Sequence, residues 1–237
     1  AIGHQALKLA NNVNGKNTAV GYNAATTLGS AYLNTIVGAE TADVLATGIS
    51  NTVVGARALG TADGAESYNT VIGVDTMSAV NNDSSVSNIA IGNDTLYGGT
   101  GVLIGNIAIG RNALDATGAN TQTGTIAIGH QALTALTSGA GNTAVGYTAL
   151  TTNVDGSANT AVGYESLYTF EADSAGHGDN SALGYRAGKF LSTGTQNTFM
   201  GNQAGMGITG TPLAGDYNTV VGGSAGVLLQ GAAHSNT

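Results

Sequence analysis

The chain has 237 residues with 38 glycines, one proline and no cysteine or tryptophan, and only 8% of it is charged, against about 25% in ordinary soluble domains. Fourteen Asp and Glu against six Lys and Arg leave a net charge of −8, which repels phosphate backbones, so no nucleic acid is expected as a partner. The missing cysteines exclude disulfide staples and thiolate chemistry; glycine is too sparse for collagen, and no apolar run is long enough to cross a bilayer as a helix, so no membrane insertion is expected.

From the N-terminus onward one short motif recurs. It opens truncated at Ala1-Ile2-Gly3, is complete at Asn17-Thr18-Ala19-Val20-Gly21, and returns at Asn34, Asn51, Asn69, Asn88 and Asn106. A copy beginning at Thr125 follows, then copies at Asn142, Asn159, Asn180, Asn197 and Asn218. The thirteen motif glycines, Gly3 to Gly222, are separated by 17 to 21 residues, a variation that marks loops of adjustable length. Three residues after the glycine stands a small residue, commonly followed by a bulky apolar one, as in Ala6-Leu7, Ala58-Leu59, Ala113-Leu114, Ala132-Leu133, Ala149-Leu150 and Ser166-Leu167. The rest of each repeat, exemplified by Thr151 to Ala158, has turn chemistry and is expected to face water. The chain begins inside one motif and ends at Asn236-Thr237, the first letters of another. Residues 1–237 are therefore read as a single repeat-array domain, a fragment of a longer chain.

Apolar positions alternate within the motif and glycine recurs in every repeat, which disfavours helix and predicts strands. The expected fold is all-β, a parallel β-solenoid or β-roll, left-handed, of about thirteen coils with a 17–21-residue repeat. The fourth motif position is Val, Ile, Leu or Met in all thirteen copies and is expected to fill the coil interior. The third position then points outward: Ala19, Ile36, Val53, Val71, Ala90, Ala108, Ala127, Ala144, Ala161, Ala182, Phe199 and Val220. A strand apolar on both faces needs cover on both, so these residues are expected to form the interface of a homotrimeric fibre. At the first position stand Asn17, Asn34, Asn51, Asn69, Asn88, Asn106, Asn142, Asn159, Asn180, Asn197 and Asn218. Two readings stay open for them: a ladder of hydrogen-bonded amides, or tolerance of a left-handed turn before the strand.

Ser87-Asn88-Ile89-Ala90-Ile91-Gly92 resembles the SVAIG-type repeat in the heads of trimeric autotransporter adhesins, which form left-handed parallel β-rolls. The fuller NTAVGYxAL unit, best preserved at 17–25, 142–150 and 159–167, is similar to repeats in tail-fibre proteins of tailed phages. The resemblance implies a structural segment, shaft or head, of a phage tail fibre in the virion. The alternative it leaves is a bacterial trimeric surface adhesin or extracellular filament. Implied partners are other copies of the chain and a host cell-surface glycan or outer-membrane protein, met by loops or by a tip domain. The pattern is broken by Thr125, by Phe199-Met200, by the insert from Gly98 to Gly105, and by Ala-Gly in place of Ala-Leu at residues 187, 204 and 225.

Chemistry is sparse. A hexapeptide acyltransferase needs an aliphatic residue every six positions, but Thr26, Asp43, Gly60, Ser78 and Asp115 occupy the following slots. The acids sit mostly singly, unlike the paired carboxylates of glycan-cleaving enzymes. Gly205 to Gly210 matches GxGxxG, yet Pro212 follows where a helix would open, so it reads as a turn. His4 and His130 share the slot after the motif glycine with Tyr22, Tyr147, Tyr164, Tyr185, Arg111 and Asn93, which argues for a coil-corner role and against catalysis. Glu171, Asp173, His177 and Asp179 in the longest step are candidate ligands for a divalent cation, weighed against a solvated polar loop. A file of threonines at the second motif position invites an ice-binding reading, but Ile89, Ile107 and Ile126 interrupt it. No enzyme activity and no cofactor are expected.

Overall fold

Alternation and a closing glycine make each motif a strand of three residues. The computed structural model describes residues 1–9, 15–171 and 178–236. Among them it is an all-β parallel solenoid of about 11 turns with no helix. The chain divides into two units, Ala1–Gly124 and Thr125–Thr237. The first contains β1 (Thr18–Val20), β2 (Thr35–Val37), β3 (Thr52–Val54), β4 (Thr70–Ile72), β5 (Ile89–Ile91) and β7 (Ile107–Ile109), stacked parallel in that order. The Gly98 to Gly105 insert adds β6 (Leu103–Ile104), which pairs with β8 (Gln122–Thr123). The second unit stacks β9 (Ile126–Ile128), β10 (Thr143–Val145), β11 (Thr160–Val162), β12 (Ser181–Leu183), β13 (Thr198–Met200) and β14 (Thr219–Val221). The truncated first motif contributes an isolated bridge, Ile2 to Val20. Like pairs with like: Thr143, Ala144 and Val145 lie opposite Thr160, Ala161 and Val162.

The turn after each strand uses a backbone that side chains resist. Gly146 has φ +146°, and a Cβ there would collide with the Gly163 carbonyl of the next coil. Thr148 and Leu150 beyond it are both left-handed, at φ 49° and 54°, a conformation that opposes folding by about 1–2 kcal/mol per residue. It turns their N–H groups to opposite neighbours: Thr148 donates to the His130 carbonyl of the preceding coil at 2.9 Å, Leu150 to the Ser166 carbonyl of the following coil at 3.0 Å. The ladder thus continues around the corner, and paired peptide groups offset the strain.

The core is narrow. One wall is the third strand position; the other is the small-then-bulky pair after the glycine, with Ala58, Leu59, Ala149 and Leu150 all buried. Where threonine replaces the small residue it stays buried by bonding across coils: Thr41 donates to the Gly55 carbonyl and Thr76 to the Gly92 carbonyl. The loops are not wholly solvent-facing as the composition suggests. Leu28, Leu45 and Leu136 are buried, and so is Asn153, whose side chain accepts from Gly156 N–H at 2.9 Å and donates to the Gly156 carbonyl at 3.0 Å. The Gly205 to Gly210 segment is a turn closed by a bridge between Ile208 and Thr211.

The structure exchanges the two strand faces relative to the expectation. Ala19, Ile36, Val53, Val71, Ala90, Ala108, Ala127, Ala144, Ala161, Ala182, Phe199 and Val220, expected as an interface between chains, are buried inside the coil of their own chain, none more than 7% exposed. The fourth position, expected inside, faces out: Ile2, Ile72, Leu183, Met200 and Val221 are exposed and the other members of the file half-buried. Volume accounts for this in the coils with alanine: with Leu150 projecting inward from the corner, the facing position has room for Ala144, and the larger Val145 goes outside. Elsewhere the same inward position takes Ile36, Val53, Val71 and Val220.

Phe199 tests that account. It is fully buried where most coils carry alanine, and a Cβ at Gly188 or Gly205 would strike its ring. Glycine thus replaces the inward leucine where the strand supplies the bulk. Phe199→Ala is expected to lose about 3–5 kcal/mol in urea denaturation, because two flanking glycines cannot refill the space. Adding Gly205→Leu should recover part of the loss, since leucine adopts the same left-handed backbone in other coils.

Candidate functional site

Two features repeat once per coil: a buried amide ladder that holds the stack, and an outward sheet face that the stack presents. Within the first unit Asn17, Asn34, Asn51, Asn69, Asn88 and Asn106 form one column. In the second unit Asn142, Asn159, Asn180, Asn197 and Asn218 form another, continued by Asn236. Each Oδ1 accepts the backbone N–H of the next asparagine, as Asn142 does from Asn159 at 3.0 Å, and in most steps also its Nδ2, at 3.1 Å for the same pair. The second Nδ2 proton commonly crosses the coil to a loop carbonyl: Asn34 to Gly48 at 2.8 Å, Asn180 to Gly194 at 2.9 Å, Asn218 to Ala233 at 2.7 Å. The left-handed residue lies one place earlier, at Leu33, Ser50, Tyr68, Ser87 and Ala158. The asparagines are therefore not placed for turn tolerance.

The outward face carries two files. One runs Thr18, Thr35, Thr52, Thr70, Ile89 and Ile107 in the first unit, and Ile126, Thr143, Thr160, Ser181, Thr198 and Thr219 in the second. The other is entirely Val, Ile, Leu and Met. No charged side chain occurs in either file. The outward face is thus uncharged and partly exposed along both units.

At the corner after the glycine the aromatic residues stack. His4 lies on Tyr22, with centroids 5.3 Å apart. His130, Tyr147, Tyr164 and Tyr185 form a continuous column at 5.2, 5.2 and 5.4 Å. Arg186 lies over the Tyr185 ring at 4.9 Å and, together with Lys189, bonds the Glu165 carboxylate. Burial pulls the Glu165 carboxyl upward, but these two cations outweigh it and hold it below its ordinary value. In the first unit Arg57 grips Asp75 through two 2.6 Å bonds and keeps its carboxyl low. Charge is thus balanced between adjacent coils away from the outward face.

Of the candidate cation ligands, Asp173 and His177 lie outside the described residues, while Glu171 and Asp179 are both exposed. Among the described residues a carboxylate group forms elsewhere: Asp63, Glu66 and Asp83 have oxygens within 4.8 Å of one another. Sequence spacing did not mark this trio, because Asp83 belongs to the following coil. Glu66 is buried and accepts N–H bonds from Gly64 at 3.2 Å and Asn82 at 3.1 Å. Desolvation raises its pKa above the usual carboxylate value, with the neighbouring Asp83 charge adding to the rise. No family model, curated protein or solved structure matches this chain.

Two stability outcomes follow from these arrangements. Asn159→Leu removes the side-chain donor to Asn142 and the Oδ1 that accepts the Asn180 backbone and side-chain N–H groups, and is expected to lose about 3 kcal/mol in urea denaturation. Glu66 has the opposite sign to a paired carboxylate. Its folded pKa lies above the unfolded one, so its contribution declines as pH rises through the unfolded value of about 4.3. The change in thermal midpoint caused by Glu66→Gln should be more favourable at about pH 7 than near about pH 3, measured by circular dichroism.

Proposed function

We propose that this chain is a structural segment of a homotrimeric fibre, in which the outward sheet face of each copy is covered by its sister copies. The observation that carries the reading is the pair of uncharged files, apolar beside hydroxyl-bearing, on a chain of net charge −8. Like-charged copies associate through the surface that carries no charge, and identical coils put identical files in register. The association surface is the second and fourth motif positions, not the third. Left-handed winding and a full count of thirteen coils belong to the same proposal.

The NTAVGYxAL resemblance supports a shaft or head of a phage tail fibre in the virion, carrying a host-recognition tip toward a cell-surface glycan or outer-membrane protein. The role is mechanical and recognitive, not catalytic. The Ser87 to Gly92 motif favours a second reading, a trimeric surface adhesin or extracellular filament of bacteria.

Light scattering on the purified chain is expected to give the mass of three copies of the 23.2 kDa chain. A single-copy mass at all concentrations would overturn the proposal. Val145→Asp with Val162→Asp, both outward, should yield a folded monomer with an unchanged far-ultraviolet spectrum, whereas the buried Ala144→Asp should unfold the coil.

A further inference from the structure

In the second unit the left-handed residues that precede the asparagines line up one per coil: Asp179, Gln196 and Tyr217, at φ 57°, 56° and 59°. Their backbone N–H groups donate to the preceding coil, Gln196 to Gly178 at 3.1 Å and Tyr217 to Thr195 at 3.1 Å. The three side chains therefore stand on a rigid ladder with the strand-to-strand rise of about 4.8 Å. Beside them a cleft of about 410 Å³ is lined by these three residues with Thr193, Thr195 and Asp216.

Asp216 is held in place. Its Oδ1 accepts the Thr195 N–H at 2.7 Å and the Thr195 hydroxyl at 3.1 Å, while its own N–H donates to Nδ1 of His234 at 2.9 Å. The side chains of Gln196 and Tyr217 make no hydrogen bond among the described residues, and Tyr217 is 60% exposed.

We infer that this cleft is a binding site for a neutral oligosaccharide. The lining supplies what a polyol needs: carboxylate acceptors on Asp179 and Asp216, an amide offering both donor and acceptor on Gln196, and threonine hydroxyls. The exposed flank of Tyr217 can receive the C–H face of a pyranose. No lysine or arginine lines the cleft, which excludes anionic ligands. A bare cation would leave the Gln196 amide donors and the Tyr217 ring unused. The three column groups rise at a spacing close to the advance of one sugar along an extended chain, so the site suits consecutive residues of a linear glycan. The inference deepens the fibre reading, resting on it only for the host surface as the source of the glycan.

Ligand-observed NMR with cellohexaose, maltohexaose and chitohexaose tests it. At least one should bind the wild-type chain with a dissociation constant on the order of 1 mM. Tyr217→Ala and Gln196→Ala should each weaken binding about tenfold or more while leaving mass and far-ultraviolet spectrum unchanged. No response to any of the three at about 10 mM, equal binding by both variants, or a response to oligolysine alone would overturn it. Light scattering on the same samples separates the two proposals: a monomer that binds sugar removes the fibre and keeps the site, and a trimer that binds none does the reverse.

Discussion

A column of buried amides, broken at Thr125, is the constraint from which the remaining architecture follows. Asparagine offers two protons and a carbonyl oxygen at one position, and the coils that carry it put them to use. The Oδ1 of Asn142 meets the backbone and side chain of Asn159, and the Nδ2 of Asn142 reaches the Gly156 carbonyl at 2.7 Å. The first link sets the register between coils, and the second ties the strand to its own loop. A half-satisfied amide in this interior would oppose folding strongly, so the column specifies the stack as well as stabilising it.

That register explains why the repeat tolerates so much variation elsewhere. Steps range from 17 to 21 residues, yet strands pair like with like because the added residues lie in loops outside the ladder. Stability accumulates between neighbouring coils, and local irregularities are compensated locally. Phe199 with Gly188 and Gly205 is one such compensation; the buried Thr41, bonded to the carbonyl of Gly55, is another.

Charge follows the same division. The ion pairs, Arg57 with Asp75 and Glu165 with Arg186 and Lys189, join successive coils at the corner. The sheet face between corners is kept free of charge. An uncharged, regular surface is suited to contact with another copy of itself, as proposed above, whereas polar side chains gather in columns such as Asp179, Gln196 and Tyr217.

The repeat, the strand character of its motif and the parallel stack were all legible in the linear order of residues. Each rests on local chemistry: alternation, glycine spacing and turn composition. Which face of the strand turned inward was not legible. Ala144 and Val145 are both apolar, and hydrophobicity alone favours the larger one as core. Only the three-dimensional closure of the coil, with Leu150 already occupying the interior, decides that alanine fits and valine must face out. The column of Asp179, Gln196 and Tyr217 was hidden for a related reason, since it joins residues about one coil apart whose meeting depends on loop lengths. Sequence by itself determined the unit and its pairing. Tertiary structure decided inside from outside, because that choice is made by how the coil closes, through available volume where Ala144 meets Leu150, and not by affinity for water alone.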